Sequence, residues 1–491
     1  MNLNSNSISS ISNQQNSTRT DFVSKMVVVF LWLLFGSNVL YLLSSLYQLP
    51  NWYYGDLFRI NGFTLLIWTT VTFFSAVIST YARKYLIGFR FKSKFMILCL
   101  AFTAAVLLLV ASNHVFLFLI SWLLMGLLMS NLIGIDTTLG EAKQALNFTR
   151  NYFLAGTFFL VLGVYLLVLS SKETTLESIT AVVFKLPLFI TIPAGICIII
   201  AAMIQSAIYP FHRWLLSAMT APTPASALMH AGFVNGSGIL LTLFASLLYA
   251  SNSLNILLVI GAVTAIVAQF TKLLQTNVKH KLACSTIAQM GYMIMQCGLG
   301  FFNAAIVHLI LHGFYKAYLF LSSGEEIGQT KVQIPLPLSI RPFQGMLVIL
   351  FGLFGAYFFI ILTGKGMKLD SGVFLTLIVA ITVGQITYNI VKERSLSMFQ
   401  KIIVPPILLF LGIVMYAFMY NGVTLLMGDM PYIAQPIPLT WLPISFGLIF
   451  LIGFFIMKLG MYKSHPWLYV KLLNLSQPYK NSVLMYKSRL K

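Results

Sequence analysis

The chain has 491 residues, of which 58% are hydrophobic and 9% charged, with a mean hydropathy of +0.88. Soluble domains carry about 25% charged residues, so this composition excludes a soluble enzyme and marks an integral membrane protein. The formal net charge of +20 invites a nucleic-acid partner, but the placement of its cations between apolar runs excludes that reading.

Residues 1–19 are rich in Asn, Ser and Gln and are expected to form a disordered cytoplasmic tail. The apolar run after Lys25 is too long for a signal-peptide core and lacks a cleavage pattern, so it is expected to persist as the first span. Apolar runs of about 20 residues, long enough to cross a bilayer, then recur near 26–48, 60–82, 93–112, 113–134, 150–171, 187–208 and 224–250. They continue near 254–271, 283–300, 302–323, 344–363, 372–391, 402–425 and 439–461. The fold class is therefore all-α: a polytopic membrane bundle of about fourteen helices over residues 20–461. Two places are ambiguous, the 113–134 junction and the 174–186 stretch. Residues 462–491, with Pro466 and Trp467, form a basic tail expected to lie along the cytoplasmic interface.

A cytoplasmic N-terminus puts about 25 of the Lys and Arg residues on the cytoplasmic side and about 5 opposite, the positive-inside bias. Arg83, Lys84, Arg90, Lys92 and Lys94 share one such loop, while Lys316 lies within a span. The expected location is a bacterial inner membrane, with both termini cytoplasmic.

Cys99, Cys197, Cys284 and Cys297 are scattered through spans and form no CxxC or four-Cys run. No dinucleotide fingerprint or phosphate loop is present. No metal, cofactor or catalytic residue is therefore expected in this chain, and the cysteines read as small apolar packers. All the acidic residues, from Asp21 to Asp429, fall in loops or at span ends. A cation cage of hard oxygens is thus disfavoured, which leaves protons as the ion the buried groups suit best.

Two clusters carry chemistry. The first runs from Ser206 through Pro210, Phe211, His212 and Arg213 to Pro222, Pro224 and His230. Its prolines, Pro210, Pro222 and Pro224, predict a helix break with His230 in the half-helix that follows. Half-helix ends present oriented backbone dipoles at membrane depth. The plainer reading is that the prolines start the next span and that His212 and Arg213 only anchor the interface. The second cluster is His308, His312 and Lys316, which repeat every four residues on one helical face. They stand about 6 Å apart along the axis, a spacing that suits proton transfer through an intervening water. Imidazole titrates nearest neutral pH and can donate on one nitrogen while accepting on the other.

Three segments carry a family resemblance: residues 206–230, Lys279 to Tyr292, and His308 to Leu321. Together they resemble the proton-translocating antiporter-like subunits of complex I and of the multisubunit cation/proton antiporters. Tyr209-Pro210-Phe211-His212-Arg213-Trp214-Leu215, Gln289-Met290-Gly291-Tyr292-Met293 and Tyr315-Lys316-Ala317 are most similar to one branch. That branch is the membrane subunit (DabB, also called MpsA) of two-component inorganic-carbon accumulation systems. The resemblance implies inverted repeats, broken helices and a polar axis, with His230, His308, His312 and Lys316 on it and Lys279 at the family's basic position. It implies a large cytoplasmic DabA-like partner resembling a zinc β-carbonic anhydrase, with zinc in the partner only. Proton influx would then drive conversion of CO2 to bicarbonate.

Two positions depart from the complex I pattern: Gln205 replaces a lysine, and Leu123 after Trp122 replaces a glutamate. Both losses argue against an electrically coupled pump and for a downhill conductor. The alternatives are a proton-pumping subunit of an NADH dehydrogenase or cation/proton antiporter, and a non-conducting scaffold.

Overall fold

The computed structural model describes residues 4–323, 342–364, 366, 368–392, 398–459 and 465–482. Glu325, Glu326 and Glu393, three of the loop carboxylates, lie outside them, as do residues 462–464 and 483–491 of the basic tail.

The long helices are α1 (Asn4–Ser44), α2 (Gly62–Tyr85), α3 (Lys92–Ala111), α4 (Val115–Ile133) and α5 (Gly140–Ser171). A short α6 (Leu176–Val182) precedes α7 (Leu188–Gln205). The next stretch is fragmented into α8 (Arg213–Ser217), α9 (Thr223–Ala231), α10 (Gly236–Leu243) and α11 (Ala245–Ala250). Then come α12 (Leu254–Leu273), α13 (Val278–Gly298), α14 (Phe302–Ser322), α15 (Pro342–Thr363), α16 (Gly372–Lys392), α17 (Met398–Leu426), α18 (Trp441–Leu459) and α19 (Pro466–Leu475). Every expected apolar run coincides with helix. Among the described residues ten helical segments are long and apolar enough to cross a bilayer, and Val348–Thr363, Gly372–Gly384 and Trp441–Gly453 are shorter apolar pieces. α13 has the length, at 21 residues, but carries Lys279, Lys281, Gln289 and Gln296.

Both ambiguous stretches are resolved. α3 and α4 are separate helices joined through Ser112–His114, where the His114 ring accepts from Phe116 N and caps α4. Residues 174–186 form α6 and a following turn, not a span. One expectation differs: α1 runs from Asn4, so much of the stretch expected to be disordered is helical. Neither Gly nor Pro interrupts residues 4–35, so nothing in the backbone stops the helix of the first span from continuing outward.

On the face opposite the cation-rich loops, a hairpin of β1 (Trp52–Tyr54) and β2 (Phe58–Ile60) pairs Trp52 with Ile60 across a turn at Gly55, φ +54°. Asn61 follows it and caps α2 by accepting from Thr64 N at 2.9 Å. The Asn61 amide also donates to Asp429 at 2.8 Å, and Arg59 donates to the same carboxylate at 3.0 Å. The hairpin is thereby latched to the loop between α17 and α18.

α12 and α13 pack with backbones almost touching. A Cβ at Gly261 would meet Met295 N at 2.5 Å and Gly291 O at 2.6 Å. A Cβ at Gly291 would meet Ala265 N at 2.7 Å. Small residues at helix crossings let apolar helices associate where no water drives them together. This pair forms one wall around α9, α10 and α14, which hold the polar residues.

Candidate functional site

The sequence places the helix break at prolines; the structure has a further interruption deeper in the span. Pro222 is the N-cap of α9 and Pro224 sits in its first turn, where a missing N–H and a fixed φ cost nothing. Pro210 lies in the 206–212 connection. All three punctuate the connection before the span. The interruption within the span falls at Gly232 (φ −119°, ψ −69°) and the 3-10 turn Phe233–Asn235 that follows it.

A break buried in a bilayer must satisfy its own backbone, and side chains do so here. Asn235 donates through Nδ2 to Ala231 O at 2.8 Å and reaches Leu309 O at 3.5 Å. Gln205 donates through Nε2 to Phe233 O at 3.1 Å. The Ser206 hydroxyl donates to Val234 O and accepts from Ser237. Gln205 is therefore a support for the interrupted backbone, a role sequence reasoning missed along with those of Ser206, Asn235 and Ser237. The run Asn235-Gly236-Ser237-Gly238 inside an apolar stretch was the available signal, because Asn-Gly and Ser-Gly pairs punctuate regular structure.

Asn235→Leu keeps the volume but strips the donor from two buried carbonyls. It is expected to destabilise the protein by about 1–3 kcal/mol per unsatisfied group, read as a lower thermal midpoint in detergent. Asn235→Gln, which can restore one bond, is expected to lose less.

The polar groups converge around α9 and α14. His230 is fully buried, and its Nδ1 lies 3.0 Å from Thr286 Oγ1. That hydroxyl donates to Leu282 O at 3.1 Å, so Nδ1 donates and Nε2 is left as the acceptor. The same Leu282 carbonyl accepts from Lys316 Nζ at 2.9 Å. His230 and Lys316 are thus joined through one hydroxyl and one carbonyl. Lys316 is fully buried inside the bundle, so it does not reach out to the interface.

His308 and His312 lie parallel, with ring centroids 5.9 Å apart and planes 13° apart. His312 is buried and His308 half-buried, with the Tyr292 ring 5.3 Å from the latter. His312 lies within electrostatic range of His230, His308 and Lys316. Within this cluster four buried ring nitrogens have no protein partner: His230 Nε2, His308 Nε2, and both Nδ1 and Nε2 of His312. Buried polar groups are rarely left so, and each is placed to bond a water. Lys279 stands apart, half-buried at the first turn of α13, where it donates to Ala221 O at 2.9 Å. It ties α13 to the connection just before α9. Leu123 is half-buried on α4 beside the buried Trp122.

His212 is more than an interfacial anchor. It is 2% exposed, and its Nε2 donates to Leu475 O at 2.7 Å at the end of α19. Tyr479 N donates to Ser217 Oγ at 2.8 Å, and the Tyr479 ring stacks on Phe148 at 4.3 Å. Burial pulls the imidazole from 6.5 to about 4. A depressed histidine stabilises the docked segment fully above its free value and loses that contribution as pH falls through the interval to the bound value. Amide protection factors at residues 466–482, corrected for the intrinsic pH dependence of exchange, are therefore expected to be highest above pH 6.5 and to fall between pH 6.5 and 4. His212→Gln should remove the pH dependence.

Residues 112–336 match the model of the NADH:quinone oxidoreductase/Mrp antiporter transmembrane family. A probable inorganic carbon transporter subunit DabB1 of Halothiobacillus neapolitanus is 32% identical over 302 residues, 59% of this chain and 54% of that protein. A probable inorganic carbon transporter subunit DabB of Bacillus anthracis is 41% identical over 185 residues, 37% of this chain and 36% of that protein. The NADH-ubiquinone oxidoreductase chain 5 of Cryptococcus neoformans is 32% identical over 287 residues, 58% and 43% of the two chains. The similarity thus spans about half the length of these relatives or less. Among solved structures, the Mrp complex of Dietzia sp. DQ12-45-1b aligns with a TM-score of 0.61 at 20% identity, over 94% of this chain and 58% of that one. An archaeal membrane-bound sulfane sulfur reductase aligns at 0.55 and 16% identity, over 94% of each chain. These two share the fold. Residues 112–336 are thus similar to the NADH:quinone oxidoreductase/Mrp antiporter transmembrane family, and subunits named DabB are among the similar proteins.

Proposed function

We propose that the chain is the membrane subunit of a two-component inorganic-carbon uptake system. It conducts protons inward and energises a cytoplasmic partner that converts CO2 to bicarbonate. The observation that carries this reading is the set of four buried ring nitrogens without protein partners, in line with a buried amine. Such groups cost stability, and a fold retains that cost where the groups act.

The path runs along α14 and onto α9: His308, His312 and Lys316, then through water to His230, while Leu282 O accepts from both Lys316 and Thr286 and fixes their positions. Each imidazole accepts a proton on one nitrogen and releases it from the other, with waters spanning the gaps of about 6 Å along the axis. Lys279 contributes at the cytoplasmic rim by holding the connection before α9. Charge moving inward releases about 2.3 kcal/mol per 100 mV, enough to bias a hydration equilibrium more than tenfold. The similarity to DabB subunits supports carbon uptake, and the partner expected is a large DabA-like zinc protein, with no metal in this chain.

The similarity to an oxidoreductase chain 5 favours a second reading, a pumping subunit of a larger redox or antiport complex. Affinity purification from native membranes separates the two. One large soluble protein rich in His and Cys is expected for carbon uptake; recovery of several small membrane subunits would overturn it in favour of the second. Acidification of vesicles holding the chain and its partner tests conduction, and a silent response would leave a scaffold.

A further inference from the structure

Between the α12–α14 wall and the last four long helices lies a cavity of about 550 Å³. That is within the size range of small-ligand pockets. Its lining is mostly apolar, with Phe359, Ile378, Leu409 and Phe450 among the walls, and no Asp, Glu, Lys or Arg lines it among the described residues. The most polar wall is formed by Gln289, Tyr292, Gln296 and His308, and Gln269, Thr382 and Tyr416 add single polar groups elsewhere. Two lining residues also face outward: Leu408 on α17 is 52% exposed and Ile386 on α16 is 40% exposed. The cavity thus borders the lipid-facing surface at mid-helix.

These features select the occupant. Each bound water needs two to four polar partners, so water alone does not suit the greater part of this lining. A lining without charged residues disfavours an ion or a charged headgroup. The polar wall nonetheless holds two orphaned atoms, since Gln296 Oε1 and His308 Nε2 are both buried with no protein partner. Gln296 Oε1 can only accept, and His308 Nε2 donates when it carries the ring proton. A hydroxyl answers both, donating to the first and accepting from the second.

We propose that this cavity binds a neutral, single-chain amphiphile drawn from the bilayer, with its hydroxyl-bearing end at Gln296 and His308 and its tail between α16 and α17. A long-chain alcohol and a protonated fatty acid share that chemistry. The inference goes beyond the proposed carbon uptake and does not need it, because binding is read without proton flux. It does place a lipid beside one member of the imidazole row.

Gly412 supplies the test. It lines the cavity at an exposed position, and a Cβ there meets nothing within 4 Å, so a bulky side chain can be placed at the cavity's lip without a clash at its root. Membranes holding the full chain are photolysed with hexadecanol carrying a diazirine in its chain, and the labelled peptides are mapped. Labelling is expected on α13 and on α17 around Gly412, competed by unlabelled hexadecanol. Competition by palmitic acid at low pH assigns the acid as well as the alcohol; failure of palmitic acid restricts the site to alcohols. Gly412→Phe is expected to cut labelling at least tenfold, Gln296→Leu several-fold, and Gly412→Ala hardly at all, with unchanged thermal midpoints. Label confined to outward residues such as Phe410 and Leu411, or uncompeted label, overturns the proposal. The wild-type map decides this even if Gly412→Phe fails to fold.

Discussion

The double substitution His308→Ala, His312→Ala is expected to lower proton uptake into vesicles at least a hundredfold. It should also abolish growth rescue of a carbonic-anhydrase-deficient host at ambient CO2. Removing both rings leaves no imidazole on α14 for the two turns before Lys316, a stretch of about 12 Å along the axis. Tyr292 and Gln296 remain beside the emptied His308 position, but neither replaces an imidazole as a proton carrier near neutral pH. His312→Ala alone is expected to cost most of the effect, because its two nitrogens lack partners and it interacts with His230, His308 and Lys316.

Stability should move the other way or hardly at all. Each partnerless buried nitrogen carries a penalty of about 1–3 kcal/mol, so deleting it offsets much of the cavity cost of truncation. A structural histidine behaves oppositely, with stability lost and transport per folded molecule retained. Full rescue by the double variant, at wild-type abundance, removes the relay.

Gly291→Val is expected to eliminate folded protein, seen as loss of the monodisperse peak on size exclusion in detergent. The first added carbon alone would sit 2.7 Å from Ala265 N, 2.8 Å from Gly261 O and 3.0 Å from the Thr264 side chain. Two of those are backbone atoms, which cannot rotate away, so α12 and α13 must separate along their length. Overpacking typically costs about 1–3 kcal/mol and more where backbone must move; this site belongs at the upper end. Separation would also shift Thr286 and Leu282 on α13 away from His230 and Lys316. Gly291→Ala introduces the same first contact, so it is expected to lower the thermal midpoint as well, though less. An unchanged midpoint in both variants would show that the crossing is slack.

Hydropathy made the spans legible, since a run such as 372–391 has few states open to it in a bilayer other than helix. The register of His308, His312 and Lys316 was legible for the same reason, a four-residue repeat inside one such run. The interruption deeper in the span is harder to read, because proline is the louder signal. Pro222 and Pro224 mark where a helix begins, while Gly232 interrupts one through the backbone dihedrals of a residue that tolerates many. Gln205 illustrates a different limit. It reads as a missing charge in the sequence, but its contact with Phe233 O lies 28 positions away and is set by how α7 crosses α10. His212 likewise meets Leu475 across 263 positions, a pairing no local pattern encodes.

Two clasps described above fasten opposite ends of the molecule. On one face Asp429 grips Arg59 and Asn61, which follow the first span. On the other, Leu475, beyond the last span, is held by His212. A carrier that rocks its two halves past each other must release one clasp in each half-cycle. With both closed, the halves are held in one fixed pose. Such a body suits a stationary conduit, through which hydrogen nuclei hop while the scaffold stays still.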